Sequence, residues 1–137
     1  MTNRIRHVEI RDHALGPAAA EVRVTVVPEE RTPTTEVRGR LMGPRCLYAS
    51  TVEVAYPLKP WPGPDAGTSV AARVVVPEAS LWEPESPFLY QGPVELWQDG
   101  RRCDQVTVRH GLRQLALGRR GLRLNGRALT LRGKVVE

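Results

Sequence analysis

The chain of 137 residues has only two cysteines and three histidines, which narrows the chemistry it can support. His7, His13 and His110 are scattered without the short spacings that metal ligands need, so a metal site is not indicated. A Ser-His-Asp arrangement, a phosphate-binding glycine loop and a cysteine nucleophile are absent as well. We therefore expect no cofactor, no metal and no active site within this chain.

The two cysteines, Cys46 and Cys103, raise the question of a disulfide between two sheets, because Trp61 lies between them as in immunoglobulin domains. Two details oppose that pairing. Arg101 stands before Cys103 where a tyrosine corner would place Tyr, and Trp61 lies among prolines and not in a strand. We expect two reduced thiols without a site role.

Long apolar runs are also missing: none approaches the roughly 18 residues that a membrane-spanning helix needs, so no membrane partner is expected. The first residues carry charge, but no apolar segment comes after them, so no signal peptide is visible and the compartment is not indicated. With 41% hydrophobic and 26% charged residues, the composition is that of a globular domain. The length suits one seven-stranded sandwich of about 100 residues with an extension.

The sequence is rich in the alternation of apolar and polar residues that is typical of β-strands. Glu21–Val27 is the clearest case, with Val22, Val24 and Val26 on one face. The same pattern predicts further strands at Arg4–Ile10, Thr35–Leu41, Thr51–Tyr56 and Ser69–Val76. No convincing helix pattern occurs, so the fold class is all-β.

Each of the later strands has a predicted inward face. The inward residues are Val37 and Leu41; Val52, Val54 and Tyr56; and Val70, Ala72, Val74 and Val76. Between the strands, Gly16–Ala20 is predicted to be a turn. Pro57–Gly67 is predicted to be a long, stiff loop, since it holds four prolines and two glycines.

The two strands after residue 90 are predicted to form a hairpin around Asp99-Gly100. The length of its loop decides which side chains of the two strands share a face. A two-residue loop would mix apolar and polar residues on one face, whereas a three-residue loop, Gln98–Gly100, places Val94 with Val106. We therefore predict the three-residue loop, with Gly100 in the left-handed conformation as a bulge.

The stretch Leu81–Tyr90 interrupts the pattern of strands. Pro84 and Pro87 lack an N–H and push the residue before them towards extended geometry, so neither a helix nor a central strand is expected. Its large apolar side chains, which need a surface to bury against, are Trp82, Phe88, Leu89 and Tyr90. We predict a rigid connector that joins two strands across the edge of a β-sandwich.

This connector also carries a family resemblance. The pattern Leu81-Trp82-x-Pro84-x-x-Pro87-x-Leu89-Tyr90 resembles the segment with which the immunoglobulin-like domain of family 2 glycoside hydrolases approaches its last strands. That family includes the β-galactosidases, β-glucuronidases and β-mannosidases.

Two further elements come next, in the family's order. Gly111-Leu112-Arg113 resembles its Gly-aromatic-Arg element. The hairpin that leads into the family's catalytic barrel is similar to Leu124-Asn125-Gly126-Arg127 with Leu131-Arg132-Gly133. His110 and Leu112 depart from the pattern, because the family usually has aromatic residues there.

The resemblance implies an immunoglobulin-like antiparallel β-sandwich at residues 1–110. Residues 111–137 would then be a C-terminal extension and hairpin leading towards a missing catalytic barrel. The implied partners are that barrel and the sugar-binding domain of the same parent chain, with carbohydrate bound only through the parent. The residues expected to lock the connector or to form a docking face are Trp82, Pro84, Pro87, Leu89, Tyr90, Gly111, Arg113, Asn125, Gly126, Arg132 and Gly133.

The carboxylates agree with a non-catalytic role. A retaining glycosidase uses two carboxyl groups about 5–5.5 Å apart, and the resemblance places the catalytic glutamates in the barrel. Glu83 and Glu85 lie in the connector, where we expect them to be solvated or to pair with an arginine such as Arg113. Beyond Gly133 the family continues with a sugar-facing Asn and His, but this chain reads Lys134-Val135-Val136-Glu137. We expect a chain cut inside a strand that enters another domain.

The distribution of charge leaves a second hypothesis open. Residues 101–137 hold nine Arg and one Lys against two acidic residues, a balance of +8, whereas residues 1–100 have a balance of −3. No aromatic residue occurs after Trp97 to stack on bases, so nucleic acid is not the expected partner. The alternative is a stand-alone binding module, for carbohydrate or an acidic partner, that uses Trp61 and the Arg-rich end.

Overall fold

The computed structural model describes residues 3–16, 18–61, 67–113, 115–118, 121–125 and 127–128, which form strands and loops. The strands in chain order are β1 (Ile5–Leu15), β2 (Ala19–Pro28), β3 (Glu36–Arg45), β4 (Val54–Pro57), β5 (Lys59–Pro60), β6 (Val70–Pro77), β7 (Leu89–Gln98), β8 (Arg101–His110), β9 (Leu115–Gly118), β10 (Gly121–Leu124) and β11 (Arg127–Ala128). Within the described ranges there is no helix of the length and apolarity that crossing a membrane requires. The predicted all-β class is confirmed.

Two four-stranded antiparallel sheets pack face to face. The first has the order β1-β2-β6-β5 and the second the order β4-β3-β7-β8. A separate sheet of β11-β10-β9 comes after them, and its β10–β11 hairpin is at the predicted place, since Leu124 pairs with Arg127. The predicted immunoglobulin-like sandwich with a C-terminal hairpin is therefore confirmed.

The core is made by the inward faces of the alternating strands. Val22, Val24 and Val26 of β2 are fully buried, as predicted. Among the residues whose burial the structure describes, the buried apolar ones are Ala20, Val22, Val24, Val26, Val37, Leu41, Leu58, Ala72, Val74, Val76, Tyr90, Val94, Leu96 and Leu112. Because full burial of a valine or leucine stabilises a fold by about 1.5–3 kcal/mol, these side chains hold the two sheets together.

The strand predicted at Thr51–Tyr56 is shorter than expected, and part of its inward face is wrong. β4 lies at an edge of the second sheet and pairs only with β3. Val52 and Val54 are 85% and 47% exposed, whereas Tyr56 packs against the core. An edge strand has a single neighbour, so alternation there does not ensure burial.

Two predicted loops are also shorter than expected. β2 begins at Ala19, inside the predicted turn Gly16–Ala20. In the predicted loop Pro57–Gly67, Lys59–Pro60 forms β5 against β6 and Leu58 is buried, so the first part of this stretch belongs to the sandwich. Residues 62–66 lie outside the described residues.

The hairpin between β7 and β8 has a two-residue loop, so the predicted three-residue loop is wrong. Gln98 pairs with Arg101 across the turn. Asp99 and Gly100 have φ angles of 53° and 72°, as a turn with two left-handed residues requires.

The side chains of this hairpin nevertheless share faces as predicted, because an extra residue lies further along β8. Leu96 pairs with Asp104 and Trp97 with Arg102, so the chain bulges at Cys103. Val94 consequently pairs with Val106. Cys46 and Cys103 are both free thiols.

The outer strands of the two sheets, β1 and β8, are joined at both ends of the sandwich. At the amino-terminal end, Asp104 accepts a hydrogen bond of 2.8 Å from the backbone N–H of Ile5. This bond, together with the N–H of Gln105, lowers the pKa of Asp104. At the opposite end, which we call the exit end because β8 finishes there, a ring nitrogen of His110 lies 2.5 Å from Asp12.

The central strands β3 and β7 approach each other closely at two glycines. A Cβ atom on Gly92 would overlap the carbonyl oxygen of Arg40, and one on Gly39 would overlap that of Pro93. Gly39 also has a φ of 139°, which other residues rarely adopt. The spacing of the second sheet therefore depends on both glycines.

We expect Gly92→Ala to lower the free energy of unfolding by about 1–3 kcal/mol, because the two backbones must move apart to admit the methyl group. Urea unfolding followed by circular dichroism measures this change. Gly16→Ala is the matched control, since its Cβ would meet only the carbonyl oxygen of Ala19, at an ordinary 3.4 Å. Equal midpoints for the two variants would contradict the close approach.

Candidate docking site at the exit end

Of the predicted connector Leu81–Tyr90, residues 81–88 have no regular secondary structure, as predicted, whereas Leu89 and Tyr90 already belong to β7. We keep the name connector for residues 81–88. It folds on itself through backbone hydrogen bonds. Glu83 and Ser86 each donate to the other's carbonyl at 3.1 Å, and Phe88 donates to Ser86 at 2.8 Å. Pro84 lies inside this turn and Pro87 directly after it, so the two fixed φ angles support the same compact shape.

Trp82 is the point at which the connector meets Gly111–Arg113, the segment after β8 that we call the exit segment. Its N–H donates a 2.7 Å hydrogen bond to the carbonyl of Leu112, which is buried in the core. Its own carbonyl accepts a 2.9 Å hydrogen bond from the side-chain amide of Asn125, just after β10. One residue thus links the sandwich, the exit segment and the C-terminal sheet.

The ring of Trp82 is held from two sides. The Arg113 guanidinium lies 4.9 Å from the ring centroid, a cation–π contact. On the backbone side, a Cβ on Gly111 would lie 2.9 Å from the ring, so the absence of a side chain there allows this approach. The structure therefore brings four of the predicted residues together: Trp82, Gly111, Arg113 and Asn125.

Tyr90 anchors the other end of the connector. It is 1% exposed, and its hydroxyl accepts a 3.0 Å hydrogen bond from the backbone N–H of Ser80. Its ring packs edge-on to Tyr56, with centroids 6.3 Å apart. Burial raises the pKa of Tyr90 above its ordinary value of 10.0, and the bond from Ser80 partly offsets that rise.

His110 and Asp12 also lie at the exit end and contact each other. The sequence analysis did not predict this pair. Asp12 contacts His110 through one carboxylate oxygen, and the other accepts a 3.3 Å hydrogen bond from the N–H of Arg113. The prediction ended the first strand at Ile10, before Asp12. A carboxylate in a strand whose partner lies far along the chain leaves no local signal.

The remaining predicted residues lie at the margins of this site or beyond it. Leu89 is the first residue of β7 and is half-buried. Gly126, Arg132 and Gly133 lie outside the described residues, as do Lys134–Glu137. In the described part of the chain, no group of three or more His, Cys, Asp and Glu side chains could hold a metal ion.

Trp61, which the binding-module alternative uses, and Trp97 lie on different sheets of the sandwich. The guanidinium of Arg23 stacks 3.7 Å from the centroid of Trp61 on the first sheet, and that of Arg38 stacks 4.1 Å from Trp97 on the second. Trp61 and Arg23 line an open groove of about 460 Å³, together with Glu9, Arg11, Asp12, His13 and Thr25. The two rings cannot form one planar row for a sugar chain.

Comparison with known proteins gives a family and a fold. The family model for glycosyl hydrolases family 2 matches residues 3–113. The match therefore includes the connector and Arg113 and stops before the C-terminal hairpin. No significant match was found among curated protein sequences.

Solved structures share the fold at low sequence identity. A glycosyl hydrolase family 2 member from Bacteroides cellulosilyticus has a TM-score of 0.70 and 23% identity, covering 96% of this chain and 18% of that one. The β-glucuronidase of Bifidobacterium dentium, complexed with coumarin-3-O-glucuronide, has a TM-score of 0.65 and 17% identity over 91% of this chain and 21% of that one. The Ruminococcus gnavus β-glucuronidase has a TM-score of 0.64 and 20% identity over 96% of this chain and 19% of that one. This chain thus spans about a fifth of their length.

Removal of the Tyr90 hydroxyl tests the anchor. We expect Tyr90→Phe to lower the free energy of unfolding by about 1–3 kcal/mol at neutral pH, because the N–H of Ser80 loses its acceptor. A raised folded-state pKa also means that the wild type loses stability as the pH rises above 10.0, where the unfolded tyrosine ionises first.

Urea midpoints measured from pH 7 to 11 report both effects. Tyr90→Phe should lose less stability than the wild type in the alkaline range. Tyr48→Phe is the matched control, since Tyr48 is 73% exposed, and it should unfold like the wild type. A neutral-pH loss that is equal in both variants would disprove the anchoring bond.

Gly111→Ala tests the approach of Trp82 to the exit segment. A new methyl group would lie 3.1 Å from the Cβ atom of Trp82 as well as 2.9 Å from its ring, so rotation of the ring alone does not relieve the contact and the backbone that bonds to Leu112 must shift. We expect a loss of about 1–3 kcal/mol and faster hydrogen exchange at the Trp82 amide. Nuclear magnetic resonance of the labelled domain measures the exchange, with Gly16→Ala as control; unchanged exchange would show that the ring is held elsewhere.

Proposed function

Since this chain belongs to family 2 of the glycosyl hydrolases, we propose that it is the non-catalytic sandwich domain of a longer glycoside hydrolase. In this proposal, residues 1–110 form the sandwich and residues 111–137 lead towards a catalytic barrel. The domain positions the barrel and a sugar-binding domain relative to each other, and the barrel carries out the hydrolysis.

The cluster around Trp82 is the observation that carries the proposal. A hydrogen bond and a cation–π contact tie the exit segment to a connector that the sandwich itself holds, and a second hydrogen bond ties the C-terminal sheet to the same connector. A segment bound in this way leaves the sandwich in one direction, which is what a positioning domain requires. A freely jointed linker would need none of these contacts.

The two ends of the sandwich support the same role. Asn3 donates hydrogen bonds to Glu30 and Gln98 at the amino-terminal end, whereas Gly111–Arg113 lies at the exit end. β1 has 11 residues, so the two ends are about 35 Å apart at 3.2–3.4 Å per residue. A domain of this shape keeps its two neighbouring domains apart along the chain.

The reaction proposed for the parent protein is the hydrolysis of β-glycosides. Two of the structural neighbours are β-glucuronidases, which makes β-glucuronides the first substrates to test. The binding-module alternative has weaker support, because Trp61 and Trp97 are each covered on one face by an arginine.

The gene provides the first test. We expect the open reading frame to continue beyond codon 137 for roughly the 250 residues of a barrel, with two glutamates at the C-terminal ends of strands. The full-length protein should hydrolyse a p-nitrophenyl β-glycoside. A frame that stops near codon 137, or a full-length protein without that activity, would overturn the proposal.

The positioning role has its own test in the full-length protein. We expect Asn125→Ala to lower kcat severalfold, because the C-terminal sheet loses its bond to Trp82. Gln105→Ala removes an exposed amide on β8 away from the exit end and should leave kcat unchanged. Equal kcat values for both variants and the wild type would contradict positioning by this cluster.

A further inference from the structure

The loop Cys46–Glu53, between β3 and β4, exposes an unusual number of apolar side chains. Leu47 is 91% exposed, Tyr48 is 73% exposed and Val52 is 85% exposed. Val54, the first residue of β4, comes next at 47%. Among the described residues, Val75 is the one exposed large apolar residue that lies elsewhere. Contiguous exposed apolar residues mark surfaces that contact another molecule or domain.

The loop has a defined shape despite its exposure. Cys46 and Ala49 form an isolated β-bridge that closes a tight turn. At the base of the loop, the guanidinium of Arg45 donates a 2.6 Å hydrogen bond to the carboxylate of Glu53. The apolar side chains are therefore presented on a closed loop, which reduces the ordering cost of binding.

The loop also lies at the exit end of the sandwich. Arg45, the last residue of β3, pairs with Leu89, the first residue of β7 after the connector. Tyr90 pairs in turn with His110, the last residue of β8. With strands 4.7–4.9 Å apart, Arg45 on β3 and His110 on β8 are two strand spacings apart, a sideways separation of about 9–10 Å.

We propose that Leu47, Tyr48 and Val52 form a docking surface for the next domain of the same polypeptide. The inference rests on the proposed function, because it needs a C-terminal domain. The solved relatives are about five times as long as this chain, and the exit segment directs the next domain towards this end. A domain seated on the exit end covers both the Trp82 cluster and this loop. Three apolar side chains then meet an apolar patch, with the Arg45–Glu53 pair at its rim.

Hydroxyl-radical footprinting of the full-length protein, read by mass spectrometry, tests the surface directly. We expect Tyr48 to be labelled about tenfold more slowly than in the urea-unfolded protein, as slowly as the buried Tyr90. Val75, on the outer face of the first sheet, is the exposed apolar reference and should be labelled readily. Labelling at several protein concentrations distinguishes a domain of the same polypeptide from a second copy of the protein as the group that covers the loop.

Protection of Tyr48 that persists on dilution supports docking within one polypeptide. Protection that disappears on dilution means that a second copy covers the loop, and it overturns the inference. Free labelling of Tyr48 at every concentration overturns it as well. If Asn125→Ala still lowers kcat in that last case, the positioning role stands and only the loop surface is lost.

Substitution provides an independent measurement. We expect the double variant Leu47→Ser, Tyr48→Ser of the full-length protein to separate its single thermal transition into two. The glycosidase activity should then be lost at a lower temperature. Val75→Ser also replaces an exposed apolar residue and should keep the single transition. Identical transitions in the two proteins would overturn the docking surface.

Discussion

The hydrogen bond from the Trp82 N–H to the Leu112 carbonyl is the contact on which the exit end of this domain depends. The connector contains Pro84 and Pro87, which lack the N–H that pairing in a sheet needs, so neither sheet can hold it directly. It is held by its own turn, by this long-range backbone bond and by Leu81, which packs against the core. Because Leu112 is buried, the bond ties the connector to the core of the sandwich.

The other contacts of Trp82 depend on that bond. Once the Trp82 backbone is fixed, its ring lies over Gly111 and meets the guanidinium of Arg113, and its carbonyl is available to Asn125. Each contact is modest alone: a hydrogen bond contributes about 0.5–1.5 kcal/mol and an exposed cation–π contact about 0.5–1 kcal/mol. Together they act on one residue, so we expect a change in any of them to alter the direction of the exit segment.

Contacts between β1 and β8, the outer strands of the two sheets, also hold the sandwich together. Asp104 and His110 lie near opposite ends of β8 and both contact β1. The second contact is shared with the exit segment, because Asp12 also accepts a hydrogen bond from the N–H of Arg113. The sheets, the connector and the exit segment therefore form one connected unit at this end.

Most of the fold could be predicted from the sequence, and the errors have clear causes. Alternation identified β2, β3 and β6 and their buried faces, because a strand covered on one face leaves that period in its residues. It was misleading at Val52 and Val54, since an edge position is decided by which strands are neighbours. It also located the bulge of the β7–β8 hairpin wrongly. The alternation of apolar residues showed that one extra residue was needed to bring Val94 and Val106 onto the same face. It did not show whether that residue was Gly100 or Cys103.

The sequence by itself determined the fold class, the family resemblance, the connector and the left-handed conformation of Gly100, because each depends on residues close together along the chain. Only the tertiary structure decided that Trp82, Leu112 and Asn125 meet, that Asp12 pairs with His110, and that the apolar loop beside Arg45 lies at the exit end. Those contacts join residues that are far apart in sequence. Their geometry depends on strand order and register, which local composition does not encode.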